Sequence, residues 1–365
     1  KVDISVNTDD TRDISIKGDS IEWTTASLPV SVMLSDEGGG LEELRIFNNG
    51  KLVYSEPLKK ADAGKEKSCN IELSGGENHI TAIALNRERT ESLPAEIFVY
   101  FDGVEAESDL YILSVGINAY KNPSYQLSFA INDAKEFLQS VKKGSGTIFR
   151  NVNVYFVKDG EADKAGISAA FSEIAEKAGS SDVFLFYYAG HGVMSMGREA
   201  ESKFYIIPYD VTKLYGDDDM LAEKGISASE LMEFSRLIKA RKQMFILDAC
   251  QSGGAMDEFA QRGAGREKAI AQLARSTGTY FLAASGAIQY ASEASSLGHG
   301  LFTWAILEAL DGKTEGEAGD MKVTANELKS YVEDRVPELT EKYRGTPQYP
   351  TGFGYGQDFP IVIVK

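Results

Sequence analysis

The chain has 365 residues, of which 43% are hydrophobic and 25% charged, the usage of a globular protein of about two domains rather than a disordered, collagen-like or coiled-coil chain. Acidic residues outnumber basic ones 55 to 38, and the net charge of −17 argues against general binding to nucleic acid or anionic membrane. Two cysteines and three histidines leave neither a Cys/His zinc cluster nor a disulfide framework to be expected.

Residues 1–106 read as all-β. Short alternating runs recur at 2–6, 13–17, 29–34, 43–47, 52–55, 69–73, 79–84 and 95–100, with glycine-rich turn signals between them. Asn49-Gly50 tolerates the positive φ angles of a type I′ turn and predicts a hairpin over 44–54. Strands at this spacing predict a two-sheet sandwich of immunoglobulin-like kind. This segment carries nine of the seventeen excess negative charges. Residues 102–109 read as an acidic linker, and the second domain is set at 107–365.

There the pattern changes. Residues 111–117 form a continuous apolar run, as a strand buried on both faces requires. A helix is predicted at 131–142, a strand at 153–157, a helix at 164–178 and a second buried strand at 182–188. A short strand at 203–208, a helix at 228–240 and strands at 244–248 and 278–284 follow, with helices at 301–310 and 325–339. Alternating strands and helices imply an α/β fold, with a mostly parallel sheet covered on both faces. Residues 253–278 read as an exposed loop or a loosely held helix. No apolar run approaches the ~20 residues that would span a membrane. The chain opens on Lys1 and is read as processed or excised, with its compartment and oligomeric state unassigned.

Two predicted strands end conspicuously, in Tyr188-Ala189-Gly190-His191-Gly192 and in Asp248-Ala249-Cys250-Gln251-Ser252-Gly253. In open α/β sheets functional groups gather beyond the carboxyl ends of strands. A Cys and a His at adjacent strand ends make a nucleophile–base pair, with the thiolate as the attacking species. The backbone N–H groups of Gly192 and Cys250 are the candidate oxyanion donors. His299, between two glycines, reads as a helix-entry turn; Cys69 and His79 read as structural.

These residues resemble the caspase-like cysteine peptidases (peptidase C14 type), and among them the metacaspase and bacterial orthocaspase branch. Ile131-Asn132-Asp133-Ala134 and Gly298-His299-Gly300-Leu301-Phe302-Thr303 support the resemblance, which covers residues 109–312. It implies a caspase–haemoglobinase fold with a six-stranded sheet, His191 as base and Cys250 as nucleophile. It also implies peptide or protein substrates with Arg or Lys at P1, held in an acidic S1 pocket by Asp133 and Asp248. Charge-assisted, bidentate bonds suit a carboxylate pair to a guanidinium. The alternatives are a helix N-terminal carboxylate for Asp133 and a turn residue for Asp248.

Self-cleavage within 255–278 is expected, at Arg262, Arg266, Lys268 or Arg275, against a reading of that stretch as solvated charge. No cofactor is expected. The family's calcium site would draw on Asp210 and Asp257, but Ser227 and Ala228 stand where an aspartate pair is looked for, and two carboxylates are few for an ion that takes 6–8 oxygens. The acidic run 217–219 reads as a solvated loop. The rival functions are a catalytically silent scaffold with the sandwich as its interaction module, an Asp-specific caspase, and a clostripain- or gingipain-type peptidase.

Overall fold

The computed structural model describes residues 1–7, 15–17, 20–103, 107–195, 203–250, 256–284, 293–294, 297–314 and 319–364, with backbone alone at 15–17, 250, 256–266 and 293–294. The chain divides into two compact units, Lys1–Glu107 and Ser108–Lys365.

Among its described residues the first unit holds nine strands: β1 (Val2–Val6), β2 (Ser15–Lys17), β3 (Ser20–Trp23), β4 (Ser27–Leu34), β5 (Glu43–Asn48), β6 (Lys51–Pro57), β7 (Glu66–Glu72), β8 (Gly76–Leu85) and β9 (Ala95–Phe101). They form a three-stranded sheet, β1-β4-β7, and a six-stranded sheet, β2-β3-β9-β8-β5-β6. Val30, Val32 and Ile71 of the first share one core with Leu44, Ile46, Ile80 and Val99 of the second. The Asn-Gly hairpin joins β5 to β6, with Asn49 at φ 50° and Gly50 at φ 82°, as a type I′ turn demands. β3 was not anticipated. It is only four residues long and sits between β2, with which it pairs antiparallel, and β9, with which it pairs in parallel.

The second unit continues with β10 (Leu110–Gly116), α1 (Ala130–Ser145), β11 (Val152–Lys158), α2 (Lys164–Lys177), β12 (Val183–Met194), β13 (Phe204–Ile206), α3 (Asp218–Lys224), β14 (Ile226–Ser227), α4 (Ala228–Leu237), β15 (Lys242–Cys250), α5 (Met256–Thr277) and β16 (Tyr280–Ala283). After these come β17 (Glu293–Ala294), β18 (His299–Gly300), α6 (Leu301–Glu308), β19 (Lys322–Thr324), α7 (Ala325–Arg344), β20 (Thr351–Gly354) and β21 (Pro360–Ile363). The main sheet runs β11-β10-β12-β15-β16-β20, parallel except for β20. Its two faces alternate residue by residue along β10. Tyr111, Leu113 and Val115 pack against α2, α4 and α5, while Leu110 and Ile112 pack against α1, α6 and α7. The continuous apolar runs of the sequence are thus strands covered on both sides. Aromatic rings tie the layers together: Phe171 of α2 stacks on Phe234 of α4, centroids 4.4 Å apart.

Three expectations need correction, and one open reading is resolved. Of the exposed loop and the loosely held helix read for 253–278, residues 256–277 are the helix α5, whose Ile270, Leu273 and Ala274 are buried against the sheet; residues 253–255 lie outside the described residues. Asp217 is not part of a solvated loop: its side chain accepts the Met220 N–H and caps α3. His191 is not at a strand end. β12 runs on to Met194 because Gly192, Val193 and Met194 pair antiparallel with β13. Finally, the acidic stretch 102–109 is not all linker. Asp109 is buried, bound by Arg150 through both carboxylate oxygens at 2.9 Å.

Candidate active site

Parallel pairing of β12 with β15 places His191 and Cys250 at register positions opposite each other. Nothing local in either segment specifies this. It follows from the side-by-side packing of two apolar strands, buried over Val183–Met194 and from Gln243 to Ala249. The Cys250 side chain lies outside the described atoms; its backbone closes β15.

His191 is 4% exposed and is held from several sides. Its Nε2–H donates to the Tyr125 carbonyl at 2.7 Å. A carbonyl can only accept, so the neutral ring carries its lone pair on Nδ1. Burial pushes the imidazole below its ordinary range, and the bond to Tyr125 pulls less strongly the other way. The ring is therefore neutral near pH 7 and able to take a proton. Tyr120 packs on it with centroids 4.8 Å apart. The His191 backbone is fixed by phenols: its N–H donates to the Tyr120 hydroxyl at 2.8 Å, and its carbonyl accepts from the Tyr188 hydroxyl at 2.9 Å. Tyr120, Tyr125 and Tyr188 carry no motif that assigns them this role in sequence.

Gly192 sits where a Cβ would lie 3.0 Å from both the Ala249 methyl and the Phe204 ring. Packing against Ala249 and Phe204 thus favours a bare backbone at Gly192.

Asp133 and Asp248, 115 residues apart in sequence, converge on one glycine. A Cβ at Gly300 would lie 3.2 Å from Asp133 Oδ2 and 3.3 Å from Asp248 Oδ2. Both carboxylates are buried, at 3% and 9% exposure. Asp133 is in the first turn of α1, but its carboxylate is engaged beyond the helix. Oδ2 accepts the Gly300 N–H at 3.1 Å, and Oδ1 accepts from His299 Nδ1 at 2.7 Å. Asp248 Oδ2 accepts from the Thr303 hydroxyl at 2.7 Å. That hydroxyl's proton being spent, the Tyr187 hydroxyl donates to Thr303 at 2.6 Å. Burial and then the negative charges of Asp248 and Asp133 hold the Tyr187 phenol well above its usual range. The two carboxylates and the groups bonded to them form one compact acidic cluster. His299 belongs to it, which corrects its reading as a plain helix-entry turn; it does immediately precede α6.

The other sequence-predicted residues lie apart from these two groups. Lys268 and Arg275 are exposed on α5, and the Arg262 and Arg266 side chains lie outside the described atoms. Asp210 pairs with Lys224 at 2.8 Å through Oδ2, while its Oδ1 is buried without a hydrogen-bond partner. Ser227 and Glu230 form the capping box of α4, and Lys164 holds Glu230 at 2.6 Å. Among the described residues no three His, Cys, Asp or Glu side chains gather as a metal site would need. The Asp257 side chain lies outside them. The described donors do not make up a calcium site. Cys69 is half-buried, with its thiol pushed up to about 11, by burial first and then by Glu56. His79 stacks on Phe98, centroids 4.5 Å apart.

Comparison with known proteins bears on this arrangement. Residues 111–352 match the caspase domain family of peptidase C14. A probable protease from a Desulfuromonadales bacterium is 29% identical over 160 residues, covering 39% of this chain and 18% of that protein. Metacaspase-4 of Arabidopsis thaliana is 26% identical, covering 40% of this chain and 34% of that one. Metacaspase-2 of Trypanosoma brucei brucei is 27% identical, covering 40% and 42%. The chain spans less than half the length of these relatives.

Proposed function

The chain belongs to the caspase-domain family of cysteine-type peptidases, and from that premise we propose that its second unit is an endopeptidase cleaving after Arg or Lys. The observation that carries the reading is the convergence of two buried carboxylates on Gly300 in the same unit in which His191 faces Cys250 across a strand pair.

The chemistry follows from the placements. Neutral His191 takes the Cys250 thiol proton, and the thiolate attacks the scissile carbonyl carbon. Peptide N–H groups at Gly192 and Cys250 stabilise the oxyanion, each such donor being worth roughly 3–4 kcal/mol where measured. Collapse of the tetrahedral species breaks the C–N bond, and the departing amine receives the proton from the His191 imidazolium. A thioester remains. His191 then deprotonates water, which attacks the thioester; the new carboxylic acid leaves and the thiolate returns. Tyr125, accepting from Nε2–H, keeps the ring in the tautomer this sequence needs. The P1 guanidinium or ammonium sits between Asp133 and Asp248, where burial makes a charge pair count for more than at the surface.

Self-cleavage within α5 is also proposed, on the exposure of Lys268 and Arg275. It requires local unwinding, since a peptidase takes its substrate extended. Catalysis is proposed to run without calcium, because Lys224 already neutralises one oxygen of Asp210. The first unit is proposed to be an immunoglobulin-like sandwich that serves as an accessory module.

One set of assays tests this. Cys250→Ala should abolish turnover, a loss of at least about a thousandfold. Asp133→Ala should cost about 3 kcal/mol, a hundredfold or more in kcat/KM, on P1-Arg and P1-Lys peptides. Undiminished cleavage by Asp133→Ala would sink the pocket assignment. The same preparations, with and without a chelator and weighed intact, test calcium and self-cleavage.

A further inference from the structure

The acidic cluster contains a histidine of its own. His299 Nδ1 is 2.7 Å from Asp133 Oδ1, and the side chain is 12% exposed, so solvent protons reach it while most of the ring is shielded. Asn132 Nδ2 donates to the Gly298 carbonyl at 3.1 Å and holds the turn that presents the ring. Trp304 lies against it, ring centroids 5.8 Å apart.

The charged and titratable groups around it can be named element by element. Asp133 comes from α1, Asp248 from β15 and the Tyr187 phenol from β12. α6 contributes only the uncharged Thr303 and Trp304 on this side. β17 pairs with β18, placing Glu293 at the register position of Gly300. The carboxylates of Asp133 and Asp248 both lie around Gly300, and His299 bonds to the first of them.

We infer that His299 is a specificity-determining residue of this pocket, an internal cation whose protonation competes with the P1 guanidinium or ammonium for the Asp133–Asp248 pair. This rests on the basic-P1 reading above. With His299 neutral, its Nδ1–H still orients Asp133, and the pocket keeps two negative charges for the substrate. With His299 protonated, one of those charges is already matched, and an incoming cation meets a like charge. Proton and P1 cation then oppose each other, and by linkage each weakens the other by the same factor. Histidine suits the task because an ordinary imidazole changes charge close to physiological pH.

The test uses the full chain. For a P1-Arg peptide, KM in the wild type should rise about tenfold on going from about pH 8 to about pH 5.5. In His299→Gln, which can donate to Asp133 but not take a proton, that rise should disappear, while the acid limb of kcat, which belongs to His191, persists. A second readout needs no variant to fold. The imidazole C–H signals of the three histidines are followed by NMR against pH, with and without agmatine as the cationic probe. Agmatine should lower the titration midpoint of one ring, His299. An unchanged midpoint under saturating agmatine, or the same KM rise in His299→Gln, overturns the inference while leaving the basic-P1 reading intact. Absence of both P1-Arg cleavage and agmatine binding overturns that reading, and this inference with it.

Discussion

A Cβ at residue 190 would lie 2.5 Å from the Tyr188 hydroxyl and 2.7 Å from that of Tyr120. Those two phenols grip the peptide groups of His191, so the glycine before the histidine is a requirement of the clamp. Gly190→Ala should therefore displace the base. The expected result is a fall in kcat of tenfold or more with KM little changed, the fold intact by circular dichroism. A variant with unaltered kcat would show that the clamp does not position His191. At this scale the sequence was partly legible. Glycines around a histidine announce close backbone approach, and an Asp two residues before a Cys announces a possible pocket wall. What could not be read was the partner of each group. Tyr125 offers a main-chain carbonyl, which every residue has, and His299 reaches Asp133 only when residues 166 apart in the chain are packed together.

Between α6 and α7 the packing depends on one buried carboxylate. Glu308 is 7% exposed and accepts from Arg335 and Tyr331 of α7 and from Lys313 just beyond α6. Burial works to raise its pKa, but hydrogen bonds from Arg335 and Lys313 outweigh it and hold the carboxyl at about 2. A depressed folded-state pKa stabilises above the unfolded value and ceases to do so as the pH falls through the folded one. Glu308→Gln should thus cost about 2 kcal/mol at neutral pH, since it leaves two cations without their counter-charge. The wild type should keep that advantage down to about pH 4.5 and lose it progressively toward about pH 2. Urea midpoints of both proteins across this range check it; a constant gap would exclude linkage to Glu308. Elements with strong local pattern were legible: β10, β12 and β15 as apolar runs, α2 and α7 as helices. Among those not read, the extension of β12 and the edge strand β20 owe their form to pairing with β13 and β16 rather than to local pattern.

For the whole molecule, charge is the property that acts at a distance. With −17 in total and two buried carboxylates in the pocket, the field favours approach of cationic peptides. For a P1-Arg peptide, kcat/KM should fall as salt is raised while kcat does not, because screening slows encounter but leaves chemistry alone. Stopped-flow measurement at two ionic strengths decides it, and salt-independent kcat/KM would remove steering from the account. The sequence by itself determined the division into an all-β and an α/β part and the class of the main sheet, and it singled out one histidine and one cysteine as the candidate pair. Those features are written in local periodicity and in residue types too scarce to be ambiguous. Only the tertiary structure decided that His191 stands opposite Cys250 in register, that a carbonyl sets the histidine's tautomer, and that Asp133, Asp248 and His299 form one pocket around Gly300. Each of these is a contact between segments far apart in the chain. Its existence depends on how sheets and helices close over a shared core, which no local window contains.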